Sequence, residues 1–75
     1  MPLISTDIAH ATLATQVGGP PYRAWRIGPY GLWGVQGAGG INVLQMPGGA
    51  VLTTSRELAE AAITRAGFVP GPPNA

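Results

Sequence analysis

The sequence predicts a small α+β domain: an antiparallel sheet of three or four strands over about residues 22–53, packed by a C-terminal helix over about 55–66. It also allows an N-terminal helix over about 6–16. Three observations carry this reading. A chain of 75 residues can enclose one core and no more, so residues 1–75 are expected to form a single small domain. Between residues 22 and 53, runs rich in aromatic and β-branched side chains alternate with breaks containing Gly and Pro, the pattern of strands and turns. From Thr54 onward a capping signal, a run of good helix formers and a terminal glycine all point to a helix.

The first segment, Ser5 to Val17, offers Ser5 or Thr6 as an N-cap and places Asp7 in the first turn, where a negative charge favours the helix dipole. Ile4, Ile8 and Ala11 recur at helical spacing, against the β-branched Thr12, Thr15 and Val17. Gly18 and Gly19 stop the element, and Pro20-Pro21 holds the joint extended.

Tyr22 to Ile27 reads as the first strand, with Arg23, Trp25 and Ile27 on one face and Tyr22, Ala24 and Arg26 on the other. Gly28-Pro29-Tyr30-Gly31 is a turn by composition, and Leu32 to Gln36 returns as the second strand of a hairpin. After the break at Gly37-Ala38-Gly39-Gly40 come a third strand, Ile41 to Met46, a turn at Pro47-Gly48-Gly49, and a fourth run, Ala50 to Thr53.

In the helix, Thr54 and Glu57 stand at capping-box spacing, and Leu58, Ala59, Ala62, Ile63 and Ala66 form an apolar stripe. Gly67 occupies the place of a left-handed residue ending a helix, and Phe68 follows where it can touch Ile63. Residues 1–5 and 69–75 are expected to be extended ends, the latter too proline-rich to continue a ladder.

Charge is scarce. Only 9 % of residues are charged, against a usual share of roughly a quarter. Four arginines, no lysine, three acids and one histidine leave a net charge of +1, while 45 % of the chain is hydrophobic, so a disordered chain is excluded. A surface so poor in charge tends to associate, which points to a protein partner or a homo-oligomer. The absence of cysteine excludes disulfides, thiolate metal sites and cysteine nucleophiles. The apolar stretch near the N-terminus is broken by Asp7 and His10 and lacks a basic lead, and no apolar run reaches the ~18 residues of a membrane span. The expectation is a protein with no signal peptide, transmembrane segment or membrane partner, cytoplasmic or within a soluble assembly.

The candidates for chemistry are few. His10 is the sole imidazole, with Asp7 three residues before it and Ser5, Thr6 and Thr12 nearby, but helical neighbours rarely supply the buried surroundings a triad needs. Glu57 is accounted for by capping and Glu60 by Arg56 at i, i+4. One His and three scattered acids match no metal-ligand spacing. The glycine run 37–40 follows a strand but leads into another, so it lacks the helix N-terminus of a phosphate cradle. No catalytic residue, metal or cofactor is expected, and the chain reads as a non-enzyme.

One cluster makes a positive claim. Tyr22, Arg23, Trp25, Arg26, Tyr30 and Trp33 bring four of the five aromatics and half the arginines within twelve positions. These residue types are enriched at protein interfaces, and they also stack on bases and pair with phosphates. Alternatively, Trp25 and Ile27, or Trp33 and Val35, pack beneath the helix. The strand-strand-strand-helix order from Tyr22 to Ala66, with the run Leu52-Thr53-Thr54-Ser55-Arg56-Glu57-Leu58-Ala59, is similar to the small arm-type DNA-binding domains of phage integrases. That resemblance implies a nucleic-acid face. The chain departs from it in charge, with only two arginines on the face where a DNA binder normally carries many cations. The expectation is therefore a non-enzymatic protein-interaction or assembly module, of a kind that suits a small virion or phage-type accessory protein. A weak nucleic-acid-binding domain using the Tyr22–Trp33 face is the alternative.

Overall fold

Ala24 and Val35 lie opposite each other across an antiparallel hairpin, both fully buried, and the helix is laid over them. The computed structural model describes residues 3–74; Met1, Pro2 and Ala75, part of the ends expected to be extended, lie outside them. The elements run β1 (Leu3–Ile4), β2 (Thr12–Leu13), β3 (Arg23–Ile27), β4 (Leu32–Gln36), β5 (Leu44–Met46), β6 (Gly49–Leu52) and α1 (Arg56–Arg65). Small antiparallel sheets and a C-terminal helix make this an α+β fold, as the sequence pattern predicts.

One sheet has the order β1-β6-β5-β2, with β1 parallel to β6 and the other pairs antiparallel; β3 and β4 form a second, two-stranded sheet. The two are stitched together by β4. Trp33 and Thr53 exchange backbone hydrogen bonds of 2.7 Å, and the Val43 N–H donates to the Val35 carbonyl at 2.8 Å. β4 thus enters the open base of the β5–β6 hairpin, touching the residue after β6 and the one before β5. The side chain of Asn42 closes the gap this leaves. Its Oδ1 accepts from the N–H groups of Val35 (3.0 Å) and Leu44 (3.1 Å), and its Nδ2 donates to the Val51 carbonyl (3.1 Å).

The helix follows its sequence signals with two adjustments. Ser55, not Thr54, is the N-cap: its extended backbone turns the side chain to accept from the Leu58 N–H at 3.2 Å, and Thr54 is exposed. The capping-box spacing of Thr54 and Glu57 is therefore displaced by one residue. Ala66, expected on the apolar stripe, is the exposed C-cap. The ending is the anticipated Schellman motif, with Gly67 at φ 93°, its N–H on the Thr64 carbonyl and the Phe68 N–H on the Ile63 carbonyl. Ala59, Ala62 and Ile63 form the buried face, and the two alanines let the helix approach β3 and β4 closely. Burying a side chain such as Ile63 or Val35 stabilises by about 1.5–3 kcal/mol each.

The N-terminal helix allowed over 6–16 is not formed. The Ser5 hydroxyl accepts from the Asp7 N–H and donates to the Asp7 carbonyl, a local turn that competes with helix. The Ala11 N–H reaches the Ile8 carbonyl, β2 pairs with β5, and a further turn runs from Ala14 to Gly18. Ile8, Ala11, Leu13 and Ala14 are all buried, so the apolar spacing is satisfied by turns around a two-residue strand. Pairing with β5 gives Thr12 and Leu13 ladder partners, and it outweighs the weak helical propensity of a β-branched stretch. The segment after α1 also departs from expectation. Gly71 forms a parallel bridge with Arg23, so these residues continue the β3 edge despite their prolines.

Candidate interaction face

The register of the β3–β4 hairpin decides where each member of the aromatic and arginine cluster stands. Arg23 lies opposite Gln36, Trp25 opposite Gly34 and Ile27 opposite Leu32, on the face away from the Ala24–Val35 pair. Arg26 lies opposite Trp33, on the same face as that pair. The helix is packed on the pair, so this second face is the core side.

Tyr22 leaves the candidate face. It is fully buried, its hydroxyl donates to the Gly18 carbonyl at 2.8 Å, and its ring meets Phe68 edge-on, with centroids 4.8 Å apart and planes at 74°. Alternation explains this, since Tyr22 shares its face with Ala24, and the core lies on that side. Of the two pairs that could pack beneath the helix, Trp33 and Val35 take the helix side, while Trp25 and Ile27 are half-buried on the opposite face. Val35 is core, and Trp33 is half-buried against the core's margin.

The other five residues divide into three places. On the outer face the Arg23 guanidinium carbon lies 5.5 Å from the Trp25 ring centroid, within cation–π range. Arg26 is exposed beside Trp33, and Tyr30, 83 % exposed, marks the tip of the turn between the strands. Among the described residues, neither Arg23 nor Arg26 has an acidic partner. The other two arginines do different work: Arg56 stands 3.8 Å from Glu60, and Arg65 donates to the Ile8 carbonyl at 2.8 Å, tying the helix end to the N-terminal turn.

The remaining polar candidates do not converge. Asp7 and His10 are exposed in turns and share no helical face, and Thr12 lies in β2. Among the described residues no three His, Asp or Glu side chains gather as a metal site requires. The glycine run 37–40 is a turn whose Ala38 N–H donates to the Gly19 carbonyl at 2.8 Å, and an antiparallel bridge between Gln36 and Asn42 spans it. No helix of the described residues is long and apolar enough to cross a membrane.

Neither a family model, nor a curated protein, nor a solved structure matches this chain. The integrase-like layout gains no support from these comparisons.

Two features escaped the sequence. An open recess of about 350 Å³ lies between Trp33 and the start of α1, lined by Thr54, Ser55, Arg56 and Glu57. The Trp33–Thr53 bridge and the packing of α1 on β4 bring these residues together, and no local pattern announces either. The second is the seat of residues 71–74 on the outer edge of β3, where the sequence signal was the lone Asn74 among prolines.

Proposed function

We propose that this chain is a non-enzymatic protein-interaction or assembly module that docks through the β3–β4 hairpin. The observation that carries the reading is the Arg23–Trp25 pair on the outer face of β3, with the exposed Tyr30 at the hairpin tip. Arginine, tryptophan and tyrosine supply the anchors of protein interfaces, and here they stand on a chain that is only 9 % charged. The size and composition suit a small accessory component of a larger assembly, such as a virion.

Sedimentation at micromolar concentration tests the self-docking form of this reading. A species larger than monomer is expected, and Trp25→Ala is expected to weaken association by ~2 kcal/mol or more, the loss typical of a buried hot spot. A clean monomer at high concentration, or association indifferent to Trp25 and Tyr30, would count against self-docking through the hairpin.

A second reading rests on one observation: neither Arg23, over the Trp25 ring, nor Arg26, exposed on the opposite face across from Trp33, has an acidic partner among the described residues. That arrangement suits weak contact with a nucleic-acid strand. Titration with single- and double-stranded oligonucleotides at low salt separates the two. Binding no tighter than about 10 micromolar is expected, at the level of non-specific phosphate contact. A nanomolar, salt-sensitive complex would make the nucleic-acid reading the first.

A further inference from the structure

A strand at the edge of a sheet offers unpaired backbone groups to any extended segment that can reach them. The outer edge of β3 is such an edge, since β4 occupies the other side. Here it is filled by residues 71–74. The Gly71 N–H donates to the Tyr22 carbonyl at 2.8 Å, and Gly71 bridges Arg23 in parallel register. Three residues on, Asn74 meets Arg26, three residues on from Arg23. Its side-chain Oδ1 accepts from the Arg26 N–H at 2.6 Å, and its Nδ2 donates to the Arg26 carbonyl at 3.1 Å. One carboxamide thus serves both backbone groups of Arg26, as a neighbouring strand would.

Pro72 and Pro73 lie between these anchors and have no N–H to leave unsatisfied. An extended proline pair also advances at nearly the rise of a strand, about 3.1 Å against 3.3 Å per residue, which keeps the two anchors in register. The closure is nevertheless slight. Both Asn74 bonds are exposed, Val69 just before the segment is 87 % exposed, and none of residues 71–74 belongs to the buried core. Segments held by few exposed bonds open without global unfolding.

We infer that the outer edge of β3 is a docking groove for an extended Gly-Pro-Pro-Asn segment, closed in cis by the chain's own residues 71–74 and open in trans to the same segment of a second copy. The groove reads the segment by its spacing: one N–H for the Tyr22 carbonyl and, three residues later, a carboxamide for the Arg26 backbone. The cis segment competes at the high effective concentration of a short tether, in the millimolar range or above, so trans docking emerges when the cis contact is weakened. This inference concerns the edge of β3 and stands apart from the proposed role of its outer face.

The test uses the full chain and a labelled peptide of sequence Val-Pro-Gly-Pro-Pro-Asn-Ala, with backbone amide shifts as the readout. Two variants loosen the cis segment independently: Asn74→Ala removes the carboxamide, and Gly71→Pro removes the N–H. Both are expected to bind the peptide at least about tenfold more tightly than the unaltered chain, with shifts centred on Tyr22 to Arg26. A peptide with alanine in place of its asparagine is expected to lose the effect. Equal binding by altered and unaltered chains, shifts away from β3, or no binding by either variant while its β3–β4 amides keep their folded positions would each overturn the inference.

Discussion

Gly34 is what allows Asn42 to reach the backbone of Val35. A Cβ added at Gly34 would stand 2.7 Å from Asn42 Oδ1, closer than such atoms approach, and 3.2 Å from a Leu52 methyl, a tight contact. The amide of Asn42 is fixed by three hydrogen bonds to β4, Leu44 and β6, so it cannot yield without releasing them. The absent side chain at one position and the polar one at the other form a single device that joins the two sheets.

Asn42→Ala is expected to cost about 3 kcal/mol, because it strands two N–H groups and a carbonyl in part-buried surroundings. Gly34→Ala is expected to cost about 2 kcal/mol by pushing the Asn42 amide away. Urea unfolding of both single variants and the double variant measures their coupling. The double variant should lose clearly less than the sum, since the contact can be broken only once; strict additivity would refute the device.

The helix cap makes a sharper contrast. Ser55→Ala should lower stability by ~1 kcal/mol, while Thr54→Ala, at an exposed position outside the cap bond, should change it by less than about 0.5 kcal/mol. Thermal melts of the two variants, measured side by side, decide between the residues.

Thr53 is fully buried, and its hydroxyl has no hydrogen-bond partner among the described residues. Its backbone, not its side chain, bonds to Trp33. Thr53→Val keeps the branched shape and removes the unpaired hydroxyl, so it should stabilise by about 1 kcal/mol. A fall in the denaturation midpoint would show that the hydroxyl is useful to the fold.

Tyr22→Phe isolates the bond to Gly18 from the packing on Phe68. The expected loss is about 1 kcal/mol, or a melting point lower by ~4–8 °C for a domain of this size. An unchanged melting point would mean that the ring alone holds the 18–22 segment.

Much of the architecture was legible because its signals are local. The β3–β4 hairpin is written in its strand composition and the Gly28–Gly31 turn, the β5–β6 hairpin in Pro47-Gly48, and the helix in its caps and stripe. What could not be read depends on partners far along the chain. Thr12 and Leu13 become a strand only because Gln45 and Leu44 lie beside them, and Ile4, 57 % exposed, is held by Leu52 and not by a helix face. The same limit applied to the candidate face. Alternation separated Tyr22, Ala24 and Arg26 from Arg23, Trp25 and Ile27, but nothing local says which side the helix covers. The helix covers the side of Ala24, and that contact alone assigns Tyr22 to the core and not to an interface.

The parallel pairing of β1 with β6 also sets the order in which the chain can fold. Leu3 must wait for Val51, and Ile4 for Leu52, whereas each hairpin closes over a few residues. A ribosome adds about 5–20 residues per second, while a hairpin forms in roughly 1–10 microseconds, so the β3–β4 hairpin can form before β6 exists, whereas β1 must wait until Val51 and Leu52 have been made. Stopped-flow refolding should accordingly show a main phase of milliseconds to seconds, set by the search for distant strands. Most of the chain must be made before its third residue finds its neighbour.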